Sequence, residues 1–379
     1  MKKHKKTLII LGSTIGTVAV IWGLLTIFVF HFPKVKNNAG AKDLKENKWY
    51  RIDVNDGKSS DGSEWYGYIK RGSENKLMIY FQGGGVSVNE YTAANKFYNK
   101  KMWGNDWFMN LNTNIGIGNT NKNNPFKDWT VVVVPYTTGD FHVGTGEYAY
   151  HDDGNDHILY HNGYNNYQSL MNKVSSMFEA PEEILVTGFS AGGFGTSLLA
   201  NDVLTNYYND VPNKTVLVDS SLLLYDGWKN TAENVWKAPS QISERLVSDN
   251  ITLDSLLALS KDHPDAKILF DCSVRDGELA KYQNYLDTDN WVATKESGEI
   301  FQNNLKNMVD GIKNQIPNSA VYIWDGIEYD EQGMNLTHHT IINLPNAYKD
   351  DFGNDETIAE WAMDAVNGQL HNYGENLLN

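Results

Sequence analysis

A serine framed by glycines at 188–192, three glycines at 83–85, an aspartate at 276 and a histidine pair at 338–339 are the chemistry-bearing residues of this chain. Gly188-Phe-Ser-Ala-Gly192 follows the apolar, β-branched run Ile184–Thr187 and passes at once into a helical pattern from Phe194 to Tyr208. A serine at a sharp strand-to-helix turn is held out from the backbone as an exposed nucleophile. The two glycines leave room for that turn, and the start of the helix places positive dipole beside the hydroxyl. Ser190 is therefore the expected nucleophile.

A serine hydroxyl is weak by itself and needs a base, an orienting acid and donors for the oxyanion. In α/β-hydrolases these follow in the chain order Ser, Asp or Glu, His. Lys267–Ser273 reads as a buried strand, and Asp276 lies on the loop just past its end, where such acids belong. A helix N-cap for Glu278–Tyr285 is the competing role for Asp276. Asp271, within the strand, is expected to point sideways into packing. His338 and His339 follow the strand-like Ala320–Asp325, and spacing does not separate them; His371 lies too near the terminus, in a polar tail. Gly83-Gly84-Gly85 directly follows the strand Leu77–Gln82, so its backbone N–H groups, with that of Ala191, can converge on an oxyanion. No Lys-Ser/Thr pair follows, as a P-loop would need. Asp140 and His142 form an Asp-x-His pair after the strand Trp129–Val134; they are expected to be structural or to line the pocket, where they could bind substrate hydroxyls, and His161 is read similarly. A metal would need a third ligand that the spacing does not show, so neither metal nor cofactor is expected.

Taken together, Gln82-Gly-Gly-Gly, Asn124-Pro-Phe-Lys-Asp-Trp-Thr, Pro135-Tyr-Thr-Thr-Gly-Asp-Phe-His-Val-Gly144, Gly188-Phe-Ser-Ala-Gly-Gly193, Ser273-Val-Arg-Asp276 and His339-Thr-Ile resemble the pectin acetylesterase family, which includes the Notum-type carboxylesterases. The resemblance runs from about Trp49 to Leu344 and is greatest to the bacterial branch. It implies an α/β-hydrolase fold and removal of acyl groups, mostly acetyl, from oxygen esters of saccharides. Carried over by position, it implies Ser190 as nucleophile, Asp276 as acid, His339 rather than His338 as base, and Gly84, Gly85 and Ala191 as oxyanion donors. The chain departs from the plant and animal members in having a single cysteine, Cys272, and in carrying Gly85 where the animal relatives have tryptophan. The family's acyl-chain preference therefore does not transfer.

These residues need a scaffold and an address. Apolar runs at 77–82, 129–134, 184–188, 215–219, 267–272 and 320–324 read as strands. Helical patterns lie at Tyr167–Phe178, Phe194–Tyr208, Phe301–Ile312 and Glu356–Leu370. The fold class is α/β: a mostly parallel, α/β-hydrolase-like sheet flanked by helices. The Asn/Gly-rich stretch 104–125 reads as a long surface loop above the site. The domain plan is a basic cytoplasmic tail (1–6), a transmembrane helix (7–30), an extracellular linker (31–47) and a catalytic domain (48–379). Thr7–Phe30 carries no charge and is long enough to cross a bilayer, and the lysines before it outweigh Lys34 and Lys36 after it, which keeps the N-terminus inside. The absence of any possible internal disulfide points to a bacterial, Gram-positive surface.

A net charge of −15 speaks against nucleic acid as a partner. The expected partners are the membrane and an acetylated glycan or small ester. The expected activity is a serine esterase releasing O-acetyl groups. The alternatives are an esterase for longer acyl or aryl esters and a membrane-tethered glycan-binding protein without activity.

Overall fold

A computed structural model describes residues 35–36, 44–95, 97–104, 106, 109–178, 180–326, 333–349 and 352–379. The basic tail, the apolar stretch Thr7–Phe30 and most of the linker lie outside the described residues. No helix among the described residues is long and apolar enough to cross a membrane.

The strands are β1 (Trp49–Lys58), β2 (Glu64–Lys70), β3 (Lys76–Phe81), β4 (Thr130–Val134), β5 (Gly146–Asp152), β6 (Asn155–His161), β7 (Glu183–Phe189), β8 (Asn213–Asp219), β9 (Lys267–Ser273) and β10 (Ser319–Trp324). Eight form one sheet in the order β1-β2-β4-β3-β7-β8-β9-β10, and β5 pairs with β6 in a separate hairpin. From β4 to β10 every pairing is parallel. β1 and β2 add an antiparallel edge. All six strand-like runs become strands of the parallel part, because strands covered on both faces read as unbroken apolar runs.

The longer helices are α1 (Gly163–Val174), α2 (Ala191–Asn206), α3 (Ile251–Asp262), α4 (Gly277–Thr288), α5 (Lys295–Gln315) and α6 (Ile358–Val366). Two apolar clusters sandwich the sheet. Ile79, Phe81, Val132 and Val134 face one, while Met78, Tyr80, Val131 and Val133 face the other. That split is the period-two alternation of β structure. Helix α2 is buried from Ala191 to Leu204, as expected of a helix apolar on all sides. It holds the end of β7 in place and, with it, Ser190.

Two expectations are corrected. The stretch 104–125 is not a surface loop: Asn110, Thr113, Asn114, Ile117 and Asn124 are buried. Asn114 Oδ1 accepts from Trp49 Nε1 at 2.7 Å, and Asn124 Nδ2 donates to Ile117 O at 2.7 Å. The linker expected over 31–47 is not wholly separate from the domain: among its described residues, Lys36 N donates to Trp49 O and Lys36 O accepts from Arg51 N, and Leu44 is buried in the core.

Lys70, at the end of β2, is wholly buried and donates to Gly118 O at 2.8 Å. Burial lowers its ammonium to about 7, against a small upward pull from Asp128. Its folded value thus lies below the unfolded one, so the unfolded chain binds the extra proton between about pH 7 and 10 and stability rises with pH across that window. Each pH unit of depression corresponds to about 1.4 kcal/mol. Lys70→Met removes this dependence. The expected result is a Tm advantage over wild type near neutral pH that shrinks toward pH 10; parallel Tm curves would contradict it.

Candidate active site

Ser190 joins β7 to α2 with φ 53° and ψ −126°, a conformation costly for any residue with a Cβ. The turn is closed by contact. A Cβ at Gly188 would lie 2.4 Å from Gly192 O, and one at Gly192 would lie 2.1 Å from Phe81 O. The neighbouring strand end holds the serine's own backbone: Ser190 N donates to Asp219 O at 2.9 Å, and Ser221 Oγ donates to Ser190 O at 2.8 Å.

The glycine loop after β3 reaches the same point. A Cβ on Gly83 would sit 2.9 Å from Ser190 Cβ, while Gly84 and Gly85 have φ of 155° and 90°. Among the described residues, the N–H groups of Gly84, Gly85 and Ala191 have no acceptor. Backbone donors left in this way beside a serine are of the kind that can receive a developing negative charge. The loop is tied down at its start, where Gln82 Nε2 donates to Thr113 Oγ1 at 2.9 Å and His142 Nε2–H donates to Gln82 O at 2.9 Å.

Asp276 caps α4 and meets a histidine at once. Its Oδ1 accepts from Glu278 N and Leu279 N at 3.1 and 3.0 Å, and its Oδ2 accepts from His339 Nδ1 at 2.6 Å. The two roles weighed for this residue are thus compatible, one oxygen for each. The carboxylate is fully buried and the His339 side chain is 19% exposed. Burial alone would lower the His339 imidazole, but the charge and hydrogen bond of Asp276 outweigh it and raise the ring above its ordinary value. The histidine loop is clamped to the aspartate loop: Gly277 N donates to Thr337 O, Thr337 N to Arg275 O, and Thr337 Oγ1 to Ser273 Oγ. His338 points elsewhere, with its ring against Phe352. Among the described residues no hydrogen bond joins Ser190 Oγ to His339, and such bonds commonly close only in the substrate complex.

Asp140 and His142, weighed as structural, pocket-lining or substrate-binding residues, are 0% and 1% exposed and are bonded inside the protein, which fits the structural role and not substrate binding. Asp140 accepts from Thr138 Oγ1, His142 N, Gly144 N and Gly163 N. Burial raises it to about 6 against those four bonds. Burial lowers His142 to about 4, which keeps it neutral with one ring N–H for Gln82. Both shape the loop behind the oxyanion glycines. His161 is likewise buried, with Nδ1–H donated to Thr138 O at 2.8 Å.

Asp219 is a residue that sequence reasoning passes over. Its Oδ2 accepts from Ile341 N and Ile342 N, both at 3.0 Å, and its Oδ1 accepts from Ser220 Oγ at 2.7 Å. One residue at the end of β8 thereby contacts both the serine turn and the histidine loop. Its only signal in the sequence is an aspartate closing an apolar run. No group of three or more His, Cys, Asp or Glu among the described residues is arranged to hold a metal ion.

These features define a serine hydrolase on an α/β-hydrolase scaffold. The family model for pectinacetylesterase matches residues 52–235. That stretch holds the glycine loop, Asp140, His142 and Ser190, and ends before Asp276 and His339. The match supports the family resemblance read from the sequence and carries no information on a bacterial branch. Among solved structures, two crystal forms of the Wnt deacylase Notum from Drosophila share the fold. One is 16% identical, with a TM-score of 0.57, over 84% of this chain and 93% of that one. The other is 14% identical, with a TM-score of 0.55, over 86% and 94%. No curated protein matches the chain. The protein is a carboxylic ester hydrolase of the serine type.

Proposed function

We propose that the protein is an O-acetyl esterase acting on glycan esters through Ser190, His339 and Asp276. The carrying observation is the pocket beside the serine, lined by Val86, Phe141, Phe194, Leu223, Leu279 and Tyr282 together with Gly85, Ser190 and Ala191. It is small and mainly apolar, a lining that suits a short acyl group such as acetyl. A long acyl chain would meet the wall formed by Phe141, Phe194 and Leu279, all at most 2% exposed.

In this reading Ser190 Oγ attacks the acetyl carbonyl while His339 Nε2 takes its proton. The N–H groups of Gly84, Gly85 and Ala191 receive the oxyanion. The imidazolium, held by Asp276, then protonates the departing sugar oxygen and leaves an acetyl-serine. Water attacks the acetyl-serine with His339 again as base, acetate leaves and Ser190 regains its proton. The family match supports an acetylated saccharide as the alcohol side.

The test is a series of p-nitrophenyl esters of rising chain length beside an acetylated polysaccharide. Acetate is expected to turn over best, with kcat/KM falling about tenfold or more by octanoate, since forcing added methylenes into a filled site costs roughly 1–3 kcal/mol. Equal or rising rates with chain length would favour the longer-acyl reading. An outward-facing, membrane-anchored location, and a bacterial one, belong to the same proposal and rest on Thr7–Phe30 and the single cysteine. Sedimentation of the full chain with membranes, and its digestion by protease added to intact cells, would test the anchor.

A further inference from the structure

Behind the serine turn and the histidine loop lie two carboxyl groups that the proposed reaction does not use. Asp219 and Asp271 face each other in register on β8 and β9. Adjacent strands place such residues about 4.8 Å apart. Both are fully buried, and as register partners on parallel strands they leave the same face of the sheet. Two carboxylates in a dry site cannot both ionise without a cation, and among the described residues none lies against them; they share a proton instead.

The surroundings decide which one holds it. Asp219 receives three donors, from Ser220 Oγ, Ile341 N and Ile342 N, and donors favour the anion. Neither oxygen of Asp271 accepts a hydrogen bond, and the nearby Trp324 Nε1 also makes none. A bare carboxyl beside an anion is the one that stays neutral. Consistent with this, burial first and then the Asp219 charge push Asp271 well above the usual carboxyl range, whereas burial raises Asp219 against the opposing bonds from Ser220, Ile341 and Ile342. The other titratable groups facing the pair are Tyr80 from β3, Cys272 from β9, and Asp276 and His339 from the loops. Burial holds Tyr80 and Cys272 neutral.

The segment that Asp219 grips is strained. Thr340, between His339 and the two anchored N–H groups, has φ 66°, a rare conformation for a β-branched residue and one that persists only where the surroundings enforce it. We propose that Asp219 is the positioning residue for His339, and that Asp271 keeps a proton and donates it to Asp219, so that the pair carries one negative charge. That charge holds the turn that aims the base and adds to Asp276 in stabilising the imidazolium. The proposal rests on His339 being the base of the esterase reaction.

Asp271→Asn and the double variant Asp219→Asn/Asp271→Asn, in the full chain, test it. In the single variant the side-chain amide donates in place of the acid. Asp271→Asn is therefore expected to fold normally, to lose the protonated-carboxyl C=O band in its infrared difference spectrum against wild type, and to leave the His339 titration by NMR unchanged. The double variant is expected to lower the His339 midpoint and to reduce kcat on an aryl acetate about tenfold or more, with KM little altered. A double variant that does not fold is replaced by Asp219→Asn, for which the same loss of kcat at unchanged KM is expected. Survival of the infrared band in Asp271→Asn, or a His339 midpoint as low as in the double variant, would place the proton elsewhere and overturn the sharing. Wild-type turnover and titration in the double variant would overturn the positioning. The infrared and NMR readouts need no turnover, so they still report on the pair if the esterase reading itself fails.

Discussion

Replacing Ser190 with alanine is expected to lower kcat on small acetate esters about 10⁴-fold or more while leaving the fold intact. That is about 5 kcal/mol of transition-state stabilisation, and what survives is the contribution of the oxyanion donors and of binding. The fold should tolerate the change because Ser190 is held by its backbone, through Asp219 O and Ser221 Oγ, and not by its hydroxyl. A second variant separates chemistry from stability. Ser190→Gly removes the Cβ that makes φ 53° costly, so it should be equally inactive yet melt higher than Ser190→Ala. An organophosphate probe should label wild type at Ser190 and neither variant. Near-normal turnover by a folded Ser190→Ala protein would remove Ser190 from the mechanism.

The parts of this site that are local in the chain are readable there. A strand, a glycine-framed serine and a helix occupy about twenty consecutive residues, and three glycines abut β3; each carries its conformation in its own residue types. The parallel strands are legible for the same reason, since burial on both faces leaves an unbroken apolar run. β1 and β2 are not unbroken apolar runs: in β1 Tyr50, Ile52 and Val54 alternate with Arg51, Asp53 and Asn55 along a partly exposed edge, a pattern that a search for continuous apolar stretches passes over. The segment around Asn110–Asn124 reads as solvent-facing from its polarity. Its amides instead satisfy one another and the backbone, as when Asn114 Nδ2 donates to Asn110 Oδ1 at 2.7 Å, and composition alone does not reveal such pairing. Asp140 and His142 mislead in the same way: polar residues on a glycine-rich loop look available, yet backbone N–H groups and carbonyls take up their bonds. Asp219 and Asp271 are the clearest case. Each is one acid in an apolar strand, and only the β8–β9 register makes them a pair.

The two adjacent histidines should part completely in function. His339→Ala is expected to abolish measurable turnover, and His338→Ala to keep at least about a tenth of it, because His339 is the histidine bonded to the buried carboxylate of Asp276. The His338 ring packs against Phe352, so its loss is expected to affect packing and not proton transfer. Asp276→Asn should lower kcat about 10³–10⁴-fold, since an amide neither fixes the Nδ1–H tautomer nor stabilises the imidazolium. The pH profile provides an independent check on the same contact. The base works only when neutral, so kcat/KM rises as His339 loses its proton. The Asp276 charge raises the ring's pKa, which places the acidic limb above that of an ordinary histidine, near about 6.5. In Asp276→Asn the residual activity should therefore show this limb moved to lower pH, and in His338→Ala the limb should stay where wild type has it. Abolished turnover in His338→Ala, with activity kept in His339→Ala, would transfer the base to His338 and leave the Asp276–His339 bond a structural clamp between two loops.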